Sequence, residues 1–249
     1  MRDSNDKVLQ GTVIIVAVFG TNAGGHLSRG LARQGARVAL LTDTAFEDDP
    51  TVLRIETSFA SRQNVAAAFA IAQHHLGAAQ LVIHSATPPI SFTSAPIESL
   101  SYAQWSEASH DALKCTIYCL QAAHDHFEGR LGSIVVFGPA LSLVGAGGLV
   151  PLSMALEAQR SLMKSAARQW GRKGIRLNWV AVGAEGNYSE LASAAVPRVP
   201  EFDSQPPPLG RVPDFVSDVA ALIGLLGCDA ARAVTGATLN IDGGNWMVP

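Results

Sequence analysis

The sequence predicts an α/β protein, a single domain in which helices cover both faces of a doubly wound parallel sheet. Short apolar runs such as Thr12–Phe19 and Ser133–Phe137 alternate along the chain with longer stretches of helical pattern. These runs are apolar throughout instead of alternating with polar residues, which is typical of parallel strands buried on both faces. The length of 249 residues fits one large α/β domain, so we expect a single domain over residues 1–249.

The first half of the chain alternates regularly between strand and helix patterns. The first predicted strand, Thr12–Phe19, ends at Gly20, where the chain can turn towards a helix. That helix extends from about Gly24 to Gln34, because Gly35 is a typical residue at a helix C-terminus. The sequence then predicts strand Arg37–Thr42, helix Ser61–Leu76, strand Leu81–His84 and helix Tyr102–Phe127.

The second half continues this alternation, with one irregular segment. Residues 183–213 contain prolines at positions 197, 200, 206, 207, 208 and 213, which exclude regular structure over most of this length. We interpret the segment as a lid over the carboxyl edge of the sheet, with a disordered insertion as the alternative. The predicted elements around it are strand Ser133–Phe137, helix Leu149–Arg172, strand Ile175–Ala181, helix Phe215–Leu226 and strand Ala237–Ile241.

The composition excludes several classes of protein. Hydrophobic residues make up 48% and charged residues 16% of the chain, which indicates a large buried core and excludes disorder and coiled coil. The formal net charge of −3, with no basic block, argues against nucleic acid as a partner. We expect the cysteines at positions 115, 119 and 228 to be reduced and buried, as in a cytosolic protein.

No membrane segment is expected either. Met1–Gln10 is polar and does not resemble a signal peptide, and the apolar run Thr12–Phe19 is far shorter than a bilayer span. The sequence therefore predicts a cytoplasmic protein without a membrane partner.

Three segments carry a resemblance to a known family. They are Gly174–Gly183 (GIRLNWVAVG), Leu209–Pro213 (LGRVP) and Thr235–Gly244 (TGATLNIDGG). On these motifs the chain resembles the short-chain dehydrogenase/reductase family over essentially its whole length, with Val182 where the family has proline. The resemblance implies a Rossmann-like sheet of seven strands and, commonly, a tetramer.

The resemblance also assigns catalytic positions, and this chain departs from the family at each of them. Family members use a Tyr-x-x-x-Lys pair, whose tyrosine exchanges the proton, together with a serine and an asparagine. Counted from Gly132 and Trp105, these positions fall on Leu152 and Leu156 for the pair, Pro139 for the serine and Ala112 for the asparagine. None of these side chains can donate a proton or a hydrogen bond, and no Tyr-x-x-x-Lys occurs anywhere in the chain. We therefore expect no catalytic residue of the family's type.

The nucleotide-binding loop is altered as well. The family motif TGxxxGxG appears here as Phe19–His26 (FGTNAGGH), which aligns in two ways. In the first alignment Gly20 and Gly24 are the first and second glycines of the motif, and His26 stands in place of the third. In the second alignment Gly24 is the third glycine, and the loop is two residues shorter than in the family. We prefer the second alignment because it preserves the helix length. Either alignment predicts a compromised pyrophosphate site.

Other positions of the nucleotide site are vestigial at best. Strand two ends at Thr42-Asp43, where an acidic residue would bind the adenosine ribose and favour NAD over NADP; a solvated turn aspartate is an equal alternative. The family's NNAG segment reads Ile83–Ala86, which includes Ser85, and the nicotinamide-contacting segment reads about 185–187. We expect no cofactor on this chain, with NAD(H) on a partner subunit.

The histidines give weaker hypotheses. His74-His75 and His124-Asp-His126 lack a distant ligand, so exposed helix ends explain them better than a metal site, and we expect none. His84 lies near the end of a predicted strand and is the candidate base if the chain has a chemistry of its own.

Together these observations predict a non-catalytic subunit of a hetero-oligomeric NAD(P)-dependent dehydrogenase. Its partner would be an active short-chain dehydrogenase paralogue, in a heterodimer or heterotetramer, acting on a hydroxyacyl or oxoacyl substrate. Two alternatives remain: an enzyme with altered chemistry, such as a lyase, isomerase or cyclase, and a regulator that binds a dinucleotide or metabolite.

Overall fold

A parallel sheet of seven strands runs through the middle of the molecule in the order β3-β2-β1-β4-β5-β6-β7. The computed structural model describes residues 8–94, 96–184, 188 and 207–247. The order reverses beside β1, as in doubly wound dinucleotide-binding folds, and the predicted fold class is confirmed. The strands are β1 Val13–Phe19, β2 Arg37–Thr42, β3 Val52–Glu56, β4 Leu81–Ala86, β5 Gly132–Pro139, β6 Ile175–Val182 and β7 Thr238–Ile241.

Helices connect these strands, and α2 and α3 begin at a serine that caps the helix. The Ser61 hydroxyl accepts a hydrogen bond from the Asn64 amide at the start of α2, and Ser101 and Gln104 form a capping box on α3. Pro151 lies in the first turn of α5, where its missing N–H costs nothing. The helices are α1 Ala23–Arg33, α2 Arg62–Leu76, α3 Tyr102–His126, α4 Leu141–Val144, α5 Val150–Trp170 and α6 Ala220–Gly227, the last preceded by a π-helical turn at Phe215–Val219.

The edge strand β3, Val52–Glu56, is the element that the sequence pattern did not indicate. Only Ile55 in it is buried, because an edge strand has a single neighbour and little cover, so it lacks a continuous apolar run. The connection 43–51 between β2 and β3 also contains no helix, although parallel strands are usually joined through one.

Two of the family-like segments meet beside β6. The Asn178 side chain donates to the Val234 carbonyl at 3.0 Å and accepts from the Ala237 amide at 3.1 Å. The buried Asp242 carboxylate accepts hydrogen bonds from the amides of Gly244 and Trp246. These bonds fix the last strand and the turn after it to the sheet.

The predicted lid, 183–213, lies mostly outside the described residues, which lack 185–187 and 189–206. Within it, Tyr188 is buried, and its ring lies 6.2 Å from that of Phe92 and 5.8 Å from that of Phe215. No helix in the described part of the chain is long and apolar enough to cross a membrane. The three cysteines are free thiols, of which Cys115 and Cys119 are buried as expected and Cys228 is partly exposed.

Gly24 allows α1 to approach the sheet closely. A Cβ at this position would lie 2.8 Å from Val18 Cβ and 3.0 Å from Leu40 Cδ1, distances that no packed side chain tolerates. Close helix–strand packing is the role of the third glycine in the dinucleotide-binding motif. The geometry therefore favours the alignment in which Gly24 is the third glycine and the loop before it is short.

We predict that Gly24→Ala lowers the free energy of unfolding by about 1–3 kcal/mol, because the added methyl group forces α1 away from the sheet. Gly171→Ala is the matched control, since Gly171 has a right-handed helical conformation and a Cβ there meets nothing within 4 Å. Urea unfolding of both variants measures the difference. Equal stability of the two variants would contradict the close packing of α1.

Candidate functional site

The family's catalytic positions lie in the apolar interior. Leu152 and Leu156 lie one turn apart on α5 and expose 0% and 1% of their surface. Pro139 is the last residue of β5, where it pairs with Val182, and Ala112 is buried on α3. No side chain among these four carries a polar group.

The Leu156 side chain fills the space that faces the end of β5. A Cβ at Gly138 would lie 2.6 Å from Leu156 Cδ2 and 3.2 Å from Trp179 Cζ2, so the leucine packs directly on the glycine backbone. An ammonium group in this place would lose its hydration among apolar neighbours, at a cost of several kcal/mol per buried ion. The environment of position 156 suits leucine and disfavours lysine.

A buried hydrogen-bond network lies beside these leucines and joins three elements. Thr116 Oγ1 on α3 lies 3.0 Å from His84 Nε2 on β4 and 2.9 Å from Gln159 Oε1 on α5. Gln159 Nε2 in turn donates to the Ala86 carbonyl at 3.0 Å. All three side chains of the network are completely buried. The sequence analysis did not predict this network. It could have been recognised from Thr116 and Gln159, which are polar residues on the apolar faces of two helices.

His84 belongs to this network and does not face an open site, contrary to its interpretation as a candidate base. Its Nδ1 donates to the Ala17 carbonyl at 2.9 Å, and its Nε2 faces the Thr116 hydroxyl, so both ring nitrogens are engaged. Burial lowers the pKa of His84 from 6.5 to about 4. The ring is therefore neutral at physiological pH and inaccessible to a substrate.

The nucleotide loop is short in the structure. Strand β1 ends at Phe19 and α1 begins at Ala23, so only residues 20–22 separate them. Gly20 has φ +85°, and a Cβ there would lie 2.4 Å from the Thr87 carbonyl oxygen, so the chain needs glycine at this turn. The Phe46 ring packs against Gly25 at the start of α1, so closely that a Cβ on Gly25 would lie 2.4 Å from the ring.

The three other residues predicted for the nucleotide site, Thr42, Asp43 and Ser85, differ in their access to a ligand. The Asp43 carboxylate accepts a hydrogen bond from the Gly20 amide at 3.1 Å and faces a cavity. The Thr42 hydroxyl is buried and bonded to Thr44 instead. Ser85 is completely buried, and among the described residues its hydroxyl has no hydrogen-bond partner. Of these three residues only Asp43 can reach a ligand.

The histidine pairs do not form a metal site in the described part of the chain, where no three His, Cys, Asp or Glu residues are grouped suitably. His126 Nε2 accepts a hydrogen bond from the Ala79 amide at 3.0 Å, and the pKa of this ring is lowered to about 4, mainly by burial. His124 contacts Lys173 and the Trp170 ring at the end of α3. These histidines have structural partners.

Comparison with known proteins gives consistent relatives. The family model described as enoyl-(acyl carrier protein) reductase matches residues 23–245. The chain is 28% identical to a probable short-chain type dehydrogenase/reductase of Bradyrhizobium diazoefficiens, over 94% of this chain and 87% of that protein. It is 31% identical to a probable 2,4-dienoyl-CoA reductase of Bacillus subtilis, in a match that spans only 62% of each chain.

A solved structure shows the same fold. The 3-ketoacyl-(acyl-carrier-protein) reductase of Brucella melitensis, determined with NADH, superimposes with a TM-score of 0.79 over 96% of this chain and 100% of that one. At 17% sequence identity this likeness shows a shared fold and no more.

We predict that Thr116→Val lowers the free energy of unfolding by about 2 kcal/mol, because the buried acceptors His84 Nε2 and Gln159 Oε1 share the one hydroxyl proton of Thr116, which valine lacks. Thr116→Ser is the matched control, since it keeps the hydroxyl and loses one methyl group, at a cost of about 1 kcal/mol. Chemical unfolding at neutral pH compares the two variants. A valine variant as stable as the serine variant would show that the hydroxyl contributes nothing.

The titration of His84 predicts a pH dependence of stability. Its pKa is lowered from 6.5 to about 4 in the folded chain, so between these values the unfolded chain binds more protons. The free energy of unfolding therefore decreases as the pH is lowered through this window, by about 1.5 kcal/mol for this group between pH 6.5 and 5.

The matched variant for this prediction is His84→Asn, which retains an N–H donor for the Ala17 carbonyl but does not titrate. Between pH 7 and 5 its free energy of unfolding should fall less than that of the wild type. His126 titrates in both proteins, so its contribution cancels in the difference. Parallel pH profiles would mean that His84 is not the titrating group.

Proposed function

This chain belongs to the short-chain dehydrogenase/reductase family, and on that premise we propose that it is a non-catalytic subunit of a hetero-oligomeric dehydrogenase. In this proposal an active paralogue of the same family carries NAD(H) and oxidises or reduces an acyl-type substrate. The present chain supports that partner's site in a heterodimer or heterotetramer.

The observation that carries the proposal is the burial of Leu152 and Leu156 at the positions of the proton donor and its lysine. A proton-transfer residue must be able to exchange a proton with the substrate, and leucine has none to exchange. Leu156 also packs on Gly138, so the space that substrate chemistry requires is occupied by hydrocarbon. This arrangement favours stability of the fold over reactivity.

The fit of a dinucleotide to this chain is poor at the loop that would bind its pyrophosphate. The family loop holds the phosphates on backbone amides of a glycine-rich turn that leads into the helix. Here the turn is reduced to residues 20–22, and the Phe46 ring lies over Gly25 at the helix start. We therefore place NAD(H) on the partner subunit and derive no step through it on this chain.

The class of substrate is inferred from relatives. A probable 2,4-dienoyl-CoA reductase is among the proteins that this chain is similar to, and the matching family model is described as enoyl-(acyl carrier protein) reductase. Both names describe acyl thioesters, so we propose a hydroxyacyl or oxoacyl thioester for the complex. We propose the division of labour of the two-subunit dehydrogenase for 2-[hydroxy(phenyl)methyl]succinyl-CoA of anaerobic toluene degradation, which has one non-catalytic subunit; no motif of this chain fixes that substrate.

Apolar side chains on the outside of the long helices support assembly. Tyr102 and Ile117 on α3 expose 77% and 39% of their surface, and Met154 on α5 exposes 43%. In the family these two helices pack against their counterparts in a neighbouring subunit. The proposed partner would cover this face.

The alternative of an enzyme with altered chemistry has less support. His84, its candidate base, is completely buried with both nitrogens bonded, and Tyr188 is buried against Phe92 and Phe215. Neither side chain can reach a substrate from these positions.

Native mass spectrometry of the protein purified from its own source tests the proposal. We expect a hetero-oligomer with an active family member, with a dinucleotide mass on that partner alone. The isolated chain should show no NAD(P)-dependent turnover. A homo-oligomer as the sole species would refute the proposal.

A reconstruction experiment distinguishes the effect of the missing catalytic pair from the effect of the altered nucleotide loop. The double variant Leu152→Tyr with Leu156→Lys restores the pair without restoring the loop, so it should remain inactive and be less stable than the wild type. Turnover by this variant alone would show that the chain still binds a dinucleotide productively.

A further inference from the structure

The connection between β2 and β3 leaves one face of this sheet edge without a helix of its own. Residues 43–51 contain none, although parallel strands are usually joined through a helix that packs on the sheet. The face concerned is the one on which α1 packs, because a Cβ at Gly24 would lie 3.0 Å from Leu40 Cδ1 of β2. Val52 of β3 shares this face, since it pairs with Val38, two residues before Leu40. The connection itself therefore has to cover the part of the face that lies beyond α1.

A cavity of about 150 Å³ lies between this face and the connection. The apolar part of its wall consists of Leu40, Phe46 and Val52, together with Gly25 of α1. Leu40 is buried and closes the cavity on the side of the sheet, whereas Phe46 and Val52 are partly exposed and can contact a ligand. Cavities of about this volume with apolar walls take up one benzene-sized molecule.

Contacts with α1 hold the Phe46 ring in place beside the cavity. The centroid of this ring lies 5.2 Å from that of the His26 ring, edge to face, and 5.3 Å from Arg29 Cζ. The ring also packs on Gly25, where the absence of a side chain allows it to approach the helix. Because the ring is held on α1, it is not free to turn inward and fill the cavity.

The charged side chains of the wall are neutralised by ion pairs. Asp49, whose side chain is 17% exposed, places Oδ2 at 3.1 Å from Arg29 Nε. The side chains of Glu47 and Asp48 are 85% and 88% exposed, so their carboxylates face water. They lie 3.5 Å from Arg29 and 3.4 Å from Arg54, respectively. An ion that entered the cavity would therefore lose hydration without gaining an unpaired charge as its partner.

We propose that this cavity binds a small uncharged aromatic molecule with a single ring. The ligand would lie between the side chains of Phe46 and Val52, where an aromatic ring and a branched aliphatic group offer dispersion contacts and no charge. The volume is well below the roughly 300–1,000 Å³ of pockets that hold larger ligands. The proposal does not depend on the proposed role of the chain as a subunit, because the cavity contains none of the residues assigned to catalysis or to the nucleotide site.

Fluorine NMR titrations of the full chain test the proposal with three probes that share one ring. Fluorobenzene is uncharged, 4-fluorobenzylamine is cationic and 4-fluorobenzoate is anionic at neutral pH. We expect saturable binding of fluorobenzene, and binding of both charged probes weaker by roughly tenfold or more, because neither charge finds a partner in the cavity. The absence of saturable fluorobenzene binding, or equal or tighter binding of either charged probe, would overturn the proposal.

A variant that fills the cavity locates the binding site. Val52→Phe should weaken fluorobenzene binding by roughly tenfold or more, because its own ring takes the place of the ligand. Leu53→Phe is the matched control: it adds the same ring to the next residue of β3, which points to the opposite face of the sheet and does not line the cavity. It should leave the affinity unchanged. Equal affinities of the two variants would show that the ligand binds elsewhere.

A second variant keeps the test independent of how β3 tolerates a larger side chain. Phe46→Ala removes the aromatic wall from a connection that belongs to no helix or strand, so the sheet should fold without it. We expect fluorobenzene binding to weaken by roughly fivefold or more, because the ligand loses its ring contact. Unchanged affinity in Phe46→Ala would overturn the assignment of the site.

Discussion

The Thr116 hydroxyl is the point at which the central strand β4 and the two long helices are joined. It contacts His84 on β4 and Gln159 on α5 inside a region from which water is excluded. A buried polar group that loses its partner costs more than an apolar group of the same size, so this contact fixes the relative positions of all three elements. The apolar surroundings of Leu152 and Leu156 depend on how β4, α3 and α5 are placed relative to one another.

Around this network the positions that the resemblance assigns to catalysis hold closely packed apolar side chains. Leu156 rests on Gly138 and approaches Trp179, and Leu152 is completely buried one turn earlier. These contacts add dispersion and apolar burial, and neither leucine has a proton to transfer.

The side of the sheet where the family binds its nucleotide is less densely filled than the region around Leu152 and Leu156. The loop before α1 is short and Phe46 covers Gly25, yet the cavity formed by the ends of β1, β2 and β3 stays open. Parallel strands end at one edge of a sheet, so Asp43 and Glu56 meet there with Lys114 and Asp111 from α3. Lys114 is paired to Asp111 in this wall.

The sequence by itself determined the fold class, because buried parallel strands must be apolar throughout and helix-ending glycines are visible in the chain. The absence of a Tyr-x-x-x-Lys pair was equally visible. The edge strand β3 was not, since a half-covered strand needs no continuous apolar run. Only the tertiary structure decided that His84 lies in a buried network rather than at a site. It alone also brought Asp43 and Glu56 to one cavity. Contacts between residues distant in the chain depend on how the elements pack, and the local pattern of each element does not record that packing.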